Sequence, residues 1–572
     1  MINSTVSDIF QQIGDILEIQ DENRFKILAY HRAAQIVSNL PTDLEKTYKK
    51  DPKKILDIRG IGRDLYLKIV EIIETGKCDQ LEKLRKKIPK GVLEMLELRG
   101  VGPKKVKMFY ITLGLTTINQ LEKACRNGKI HVLPGMGEKT ELAILKAIDD
   151  KKRFAERVLM PFALEEAELV IEHMKFNKKV KKIEYGGSLR RHKETVGDVD
   201  ILIGASKKDA KEIMSHFVKY RSVENVLAQG ETKSSVVLDT GIQVDLRVIE
   251  PKSYGAALHY FTGSKAHNVA IRGMAQKKGL KVSEYGVFKG EMQIAGKTEE
   301  EVFKAVGLPY IIPELRKNDG EIEAAQKGKL PNPIELKDIK GDLHMHTNES
   351  DGTQDLETVA QDAYKNGYKY IAITDHSKTS AIANGLDEKR LLKQFKEIDK
   401  LNKKFKDFKI LKGSEVDILN TGKLDFSDEV LAQMDIFPAS IHSGFTMTEA
   451  KMTDRIIKAM SNPYVKIIGH PTGRLINRRD PYKLDMDAII EAAKEYKVAL
   501  ELNAQPLRLD LKDNYLRQAK KKGVKIVIGT DSHHTSQKVY MKYGIYMARR
   551  GWLEKKDVLN TRTLKQLFDY WK

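Results

Sequence analysis

Seven short apolar runs recur between helical stretches over residues 339–572: GDLHMHT, YKYIAITDH, FKILKGSEVDI, DIFPASIH, VKIIGHP, VALELNA and KIVIGTDSH. Such regular alternation leaves few architectures open. Neighbouring parallel strands need a long crossover, which a helix supplies, so a parallel α/β arrangement is expected, with a barrel first. Seven of the 14 histidines lie here, all at the ends of these runs: His344, His346, His376, His442, His470, His533 and His534. Asp351, Glu415 and Asp531 hold similar places. In a parallel barrel the strand C-termini gather on one face, so these side chains meet there. Clustered imidazoles and carboxylates suit Zn2+, Mn2+ or Fe2+. A single strand-end histidine is more often structural, but that reading does not account for so many.

The first 150 residues follow a different rule, a near-repeat: LDIRGIGRDLYLKIVEII (56–73), LELRGVGPKKVKMFY (96–110) and HVLPGMGEKTELAIL (131–145). Each copy sets Gly-apolar-Gly between two helical stretches, the signature of a helix–hairpin–helix. Gly60, Gly62, Gly100, Gly102, Gly135 and Gly137 permit the turns, and Lys104 stands at the start of the second copy's following helix. Free N–H groups and a positive dipole end there hold a DNA phosphate without reading bases. Between the copies the apolar period is helical, so an all-α region is expected.

Beyond residue 180 the pattern alternates, in KKIEYGGSLRR, DVDILIGA and SSVVLDTGIQVDLRVI, the last being two strands joined by a tight turn at Thr240-Gly241. Asp198 and Asp200 are two apart and share one strand face, while Val199 and Ile201 take the core face. Ile242, Val244, Leu246 and Val248 form a second buried stripe, which turns Gln243, Asp245 and Arg247 to the other face. If the two strands are neighbours, three carboxylates converge. Divalent cations relieve that repulsion, and two Mg2+ or Mn2+ ions about 3.5–4 Å apart are the usual occupants in phosphoryl transfer. Upstream, GGSLRR (186–191) offers a close backbone approach and a guanidinium suited to a triphosphate.

Charge and cysteine content bound the setting. The formal net charge of +20 points to a polyanionic partner, although solvated lysine faces alone also produce such a value. No apolar run approaches the roughly 20 residues of a membrane span, and the N-terminal stretch reads as an amphipathic helix, not a signal peptide. Only Cys78 and Cys125 occur, so no disulfide framework is expected and a reducing cytoplasm fits best.

YGGSLRRHKETVGDVDIL, VDLRVI and YFTGSKAHNVAIR resemble the family X nucleotidyltransferases, relatives of DNA polymerase beta, from about residue 5 to 316. The resemblance implies that Asp198 and Asp200 bind both metals and that Asp245 binds the catalytic one. Gly187, Ser188 and Arg191, with Gly197 nearby, would hold the triphosphate. Tyr260, Phe261 and Gly263 would line the sugar pocket, and Asn268 and Arg272 would meet the nascent pair and template. Gln243 and Lys265 depart from the familiar Arg and Asp of the best-known eukaryotic member. Lys68 aligns with the Schiff-base lysine of the family's lyase domain, a role that needs a depressed pKa; a solvated helix lysine fits the position equally.

HMH followed by Asp351, then TDH, GSE, SIH, GHP and TDSH, resembles the PHP (polymerase and histidinol phosphatase) family over residues 339–572. That family implies a distorted seven-stranded barrel with up to three metal ions, held by His344, His346, Asp351, His376, Glu415, His442, His470, Asp531 and His533. His534 has no assigned role, and Arg474 and Arg508 could grip a phosphate. The expected layout is a helical lyase-like domain (1–85), a helical fingers-type domain (86–150), an α+β nucleotidyltransferase palm (151–255), a thumb-like domain (256–316), a linker (317–338) and the barrel (339–572).

Together the halves resemble bacterial family X DNA polymerases. This implies a monomer that fills gapped or nicked DNA with dNTPs during repair and trims ends as a 3′–5′ exonuclease, with AP endonuclease or 3′-phosphatase activity sharing the second site. Two alternatives stand beside it: an RNA nucleotidyltransferase joined to a small-molecule phosphatase, and a DNA-binding scaffold with vestigial sites.

Overall fold

The computed structural model describes residues 2–38, 44–58, 60–96, 98, 100–154 and 157–572. Among the described residues up to 154 there are nine α-helices and no strand. The first, Ile2–Ile19, buries Val6, Phe10, Ile13 and Leu17, the spacing that places side chains on one helical face. One buried cluster, with Phe10, Ile69, Val106, Phe109 and Ile148 in it, runs through both expected helical units.

A five-stranded sheet centres the middle of the chain, in the order Lys182–Tyr185, Val199–Gly204, Gln243–Ile249, Lys233–Leu238, Val223–Gln229. Val199–Gly204 and Gln243–Ile249 run parallel, with Asp200 opposite Asp245. The last strand pairs with Lys233–Leu238 in an antiparallel hairpin, whose turn holds Gly241 at φ +84°. The period of two does the sorting: Val199, Ile201, Ile203, Val244 and Leu246 are all buried in one core with the helices Met160–Lys175 and Ala210–Phe217. On the opposite face Leu202 packs against Tyr254, Ala257 and Leu258 of helix Tyr254–Thr262. The aspartates thus stand on the face that this helix covers only in part. Residues beyond it add the helices Lys265–Gln276 and Glu299–Val306 and a three-stranded antiparallel sheet around Ile271, Val282, Val302 and Phe303.

The C-terminal region makes all seven expected strand passes. Gly341–Asp342, Tyr370–Ile373 and Lys409–Lys412 pair in parallel. The third pass breaks at Gly413 and resumes as Val416–Asp417, which pairs in parallel with Pro438–Ser440 and begins a run through Ile467–Ile468, Ala499–Asn503 and Ile526–Gly529. A Cβ on Gly413 would lie 2.4 Å from the Ile436 carbonyl, so only glycine fits where the strand changes partner. A parallel bridge from Met345 to Ser532 joins the first pass to the last, closing a distorted barrel. Leu343, Tyr370, Leu411, Ile436, Ile467, Ala499 and Val527, one from each pass, share a buried cluster with Leu559 and Leu567 of the C-terminal segment.

Residues 317–338, expected as a linker, are instead folded against both neighbours. Helix Glu321–Gln326 buries Ile322 and Ala325 in the cluster around Phe303, while Ile334 donates its N–H to the Leu553 carbonyl and joins the main core. Its charges are paired as well: Lys317 with Asp513 at 2.5 Å, and Asp319 with Arg517 at 2.6 Å. The polar composition that suggested a linker belongs to a strap whose partners lie some two hundred residues away.

Arg316 is fully buried and lies 2.5 Å from Glu299, which also pairs with Arg190 at 2.8 Å. Burial pushes the Glu299 carboxyl up, but the two guanidiniums outweigh it and bring it down to about 2. Replacing Glu299 by Ala leaves a buried guanidinium without its counter-charge. The expected loss is about 3–5 kcal/mol, read by urea denaturation; a loss below about 1 kcal/mol would mean that the pair carries no such burden.

Candidate active sites

Two separate groups of acidic and basic side chains follow from these elements. In the central sheet, Asp200 and Asp245 are cross-strand neighbours and Asp198 precedes the same strand. Burial, then the carboxylates of Asp198 and Asp245, push Asp200 up to about 7, and burial and Asp245 raise Asp198. Asp245 goes the other way. Burial raises it, but hydrogen bonds from Gln243 at 2.8 Å, Lys233 and Ser235 prevail, with the Lys233 ammonium 3.0 Å away. Like charges crowded in this way favour a divalent cation among them.

The glycine turn beside them is shaped to this edge. Gly187 sits at φ +62°, and a Cβ there would stand 2.9 Å from Oδ2 of Asp200. Arg191 leaves the same turn, is 3.2 Å from the Gly187 carbonyl and also donates to the Thr262 carbonyl. Arg190, its neighbour, is committed to Glu299 and Thr262, so Arg191 is the guanidinium with capacity left. Ser188 lies on the turn itself, and Gly197 directly precedes Asp198. Tyr260 and Phe261 pack edge to face at 5.2 Å, with the Arg247 guanidinium 4.4 Å over the Phe261 ring. Gly263 is close enough to Arg191 that a Cβ would be 3.1 Å from its Nη1. Asn268 donates to the Tyr260 carbonyl at 2.7 Å, while Arg272 and Lys265 are exposed.

In the helical region the three Gly-apolar-Gly turns share one geometry. Gly60, Gly100 and Gly135 have φ of +98°, +76° and +74°. Gly62 and Gly102 cap helices Arg63–Thr75 and Pro103–Leu113, and Gly137 precedes Glu138–Phe154. A Cβ on Gly62, Gly100, Gly102, Gly135 or Gly137 would meet nothing within 4 Å, so the turns are open on the side where a side chain would stand. Lys104 is exposed beside the second turn. The third helix opens on Glu138, and its Glu141 accepts from the N–H groups of Ile130 and His131, a less welcoming end for an anion.

Lys68 lies in an ion pair on its own helix. Its ammonium lies 2.6 Å from Asp64. Burial lowers its pKa, but Asp64 and Tyr30 outweigh burial and leave it raised. In this ion-paired state the shift runs opposite to the depressed pKa that the Schiff-base role requires.

At the open end of the barrel the nine expected ligands come together around Glu415. Its carboxylate lies 2.8 Å from His470, 3.0 Å from His376, 3.3 Å from His442 and 3.5 Å from His344. Asp351 reaches His533 at 3.2 Å and His376 at 3.5 Å, and Asp531 reaches His346 at 3.2 Å. Ring nitrogens of His344, His346, His376 and His442 lie 3.0–3.8 Å from these carboxylate oxygens yet make no hydrogen bond. Buried, unpaired donors facing carboxylates at that spacing fit metal ions. Three overlapping ligand groups satisfy this: His346, Asp351, His376 and His533; His344, His346 and Asp531; His376, Glu415 and His442. They open into a cavity of about 630 Å³ that Arg508 and Ile382 also line.

Sequence reading missed the side chains that aim these ligands. Glu501 accepts from Nδ1 of His344 at 2.6 Å and from the N–H of His470 at 2.6 Å, and Asp417 meets Nδ1 of His442 at 2.5 Å. The available signal was a carboxylate inside an otherwise apolar strand. Arg508 does lie at the centre, 3.2 Å from Asp531. Arg474 does not: it bonds the carbonyls of Arg508 and Leu509 and pairs with Glu194 of the central domain at 2.8 Å, so it is a strut between domains. His534 caps the turn Thr535–Val539 through its own ring.

Comparison with known proteins follows these divisions. The models described as helix-hairpin-helix domain and SAM-like helix-hairpin-helix tandem match residues 1–78 and 92–150. Those for the DNA polymerase beta palm and thumb match 163–246 and 257–317, and the PHP domain matches 342–505. The "DNA polymerase/3'-5' exonuclease PolX" of Bacillus subtilis (strain 168) is 40% identical over 564 residues, covering 98% of this chain and 97% of the relative. The chain belongs to the PolX family. The PHP part is also 32% identical over 232 residues to a "Probable phosphatase" of Thermoanaerobacter sp. (strain X514), covering 38% of this chain and 89% of that protein. No helix among the described residues is long and apolar enough to cross a membrane.

Because Glu501 orients the His344 imidazole and anchors the His470 backbone, Glu501→Ala is expected to weaken divalent-metal binding about 10–100-fold. Bound metal per chain after dialysis reads this directly. Unchanged retention would remove Glu501 from the support of the centre.

Proposed function

We propose that the chain is a repair DNA polymerase that fills short gaps, and that its PHP barrel removes nucleotides from DNA 3′ ends as a metal-dependent exonuclease. The observation that carries this reading is the joint presence of crowded palm carboxylates and an imidazole–carboxylate cluster of eight residues, joined by His470 beside Glu415, on one chain, in a family whose Bacillus subtilis member is named for both activities. Gapped or nicked DNA and dNTPs are the substrates, a cytoplasmic monomer is the working form, and the helix–hairpin–helix turns hold DNA phosphates without reading sequence.

In the palm, Asp198, Asp200 and Asp245 would hold Mg2+ or Mn2+, which neutralises charge developing on the transferred phosphoryl group. Asp245 would bind the catalytic metal and help activate the primer 3′-hydroxyl, its carboxyl held ionised by hydrogen bonds from Gln243, Lys233 and Ser235. The Gly187–Ser188 turn brings backbone to the triphosphate and Arg191 adds a guanidinium. Tyr260 and Phe261 form a wall against the sugar, the kind of surface that disfavours a 2′-hydroxyl. In the barrel, Zn2+, Mn2+ or Fe2+ would be held by His344, His346, Asp351, His376, Glu415, His442, His470, Asp531 and His533, with Arg508 placed to meet the scissile phosphate.

The test follows a labelled primer on a one-nucleotide gap with dNTPs and Mn2+. Asp245→Ala is expected to lose extension by at least about a hundredfold and keep degradation. His344→Ala is expected to do the reverse. Loss of both activities in both variants, or neither activity in the unaltered chain, overturns the two-site reading.

A further inference from the structure

The helix Tyr540–Arg550 belongs to the barrel domain, yet it braces the turn that follows the palm glycines. Tyr546 stacks flat on His192, with ring centroids 3.6 Å apart and planes 3° apart. Arg549 pairs with Glu314 at 2.7 Å, and Glu314 also lies 3.2 Å from His192. Arg550 donates to the backbone carbonyl of Arg191 at 2.5 Å and is itself held by Asp513 at 2.7 Å. Three consecutive or near-consecutive contacts from one helix thus fix residues 191 and 192 from behind.

The charge balance there is also unusual. By ion pair, Arg190 and Arg316 share Glu299, Lys317 and Arg550 share Asp513, and Arg191 has no carboxylate partner of its own among the described residues. Four cations thus divide two carboxylates by ion pair in a mostly buried place, and Arg191 has only the longer-range charge of Asp200 opposite it. Nε of Arg550 and one terminal nitrogen of Arg316 are buried with no hydrogen-bond partner. Burial, then the neighbouring guanidiniums of Arg550 and Arg316, push Arg191 down to about 10. Excess buried positive charge is costly unless an anion comes to it.

We propose that Arg550 is a positioning residue of the polymerase centre: from the PHP domain it holds the Arg191 turn in place and adds positive charge behind it, so that nucleotide triphosphate binding in the palm depends on the barrel. The inference rests on the reading that Arg191 meets the triphosphate. Arg550 need not touch the nucleotide. It sets the backbone from which Arg191 extends, and it is supported in this by Asp513 and by the Tyr546–His192 stack. The barrel is therefore more than a nuclease attached to a polymerase.

The experiment uses the full chain on a one-nucleotide gap, with steady-state KM for dNTP and kcat measured separately. Excision of a single-stranded oligonucleotide in the same preparation reports the integrity of the barrel. Arg550→Met is expected to raise KM for dNTP roughly tenfold, with kcat changed less than about threefold and excision unchanged. Arg550→Lys, which keeps a donor and the charge, is expected to recover most of the loss. Tyr546→Leu serves as a second variant should Arg550→Met fail to fold, with the same direction expected in KM. Arg191→Ala separates the two claims. If it leaves KM unchanged, the triphosphate reading of Arg191 falls. If it raises KM while folded Arg550→Met or Tyr546→Leu does not, the positioning role of the barrel is overturned and the Arg191 reading stands.

Discussion

Crowded negative charge is the constraint on which both halves of the structure depend. Asp200 and Asp245 face each other on neighbouring central strands with Asp198 just before the first, and Glu415, Asp351 and Asp531 share one barrel mouth. Anions gathered this closely are unfavourable without cations. The palm relieves part of the strain with Lys233 and Gln243 on Asp245, and leaves Asp200 raised to about 7. The barrel surrounds its carboxylates with imidazoles, which are metal ligands when neutral and counter-charges when protonated. Everything else serves to hold these groups in place: parallel pairing for the aspartates, strand ends for the histidines, and Glu501 and Asp417 behind the rings.

The opposite sign governs what lies around them. The Arg191 guanidinium is suited to phosphate, and the ion-paired cations Arg190, Arg316, Lys317 and Arg550 pack around it. A phosphodiester chain needs both: cationic surfaces to hold it and cation-loaded carboxylates to act on it. The strap 317–338 and the helix Tyr540–Arg550 then tie palm, thumb and barrel into one packed body, with Trp552 against the thumb core and apolar contacts continuous between palm and barrel.

Much of this was legible in the sequence because its signals are local. GDVD and VDLRVI fix which residues share a strand face, and their alternation placed Asp200 and Asp245 correctly once the strands paired. All seven barrel passes were visible as apolar runs bounded by polar ones. The rest depends on distant partners. The strap read as a linker because its few apolar residues, Ile322, Ala325 and Ile334, are sparse, and the partners of Lys317 and Asp319 come from the barrel. Arg474 read as a phosphate ligand because nothing local shows that Glu194 sits across from it. The pairing of Lys68 was hidden for the same reason, since Tyr30 reaches it from another helix.

The central claim is that one chain carries two distinct sites, each built to hold divalent cations. Anomalous diffraction from crystals of the full chain soaked in Mn2+ tests it most directly. Peaks are expected both among Asp198, Asp200 and Asp245 and among the barrel histidines around Glu415. Strong peaks at one cluster with none at the other, at saturating Mn2+, would contradict the account.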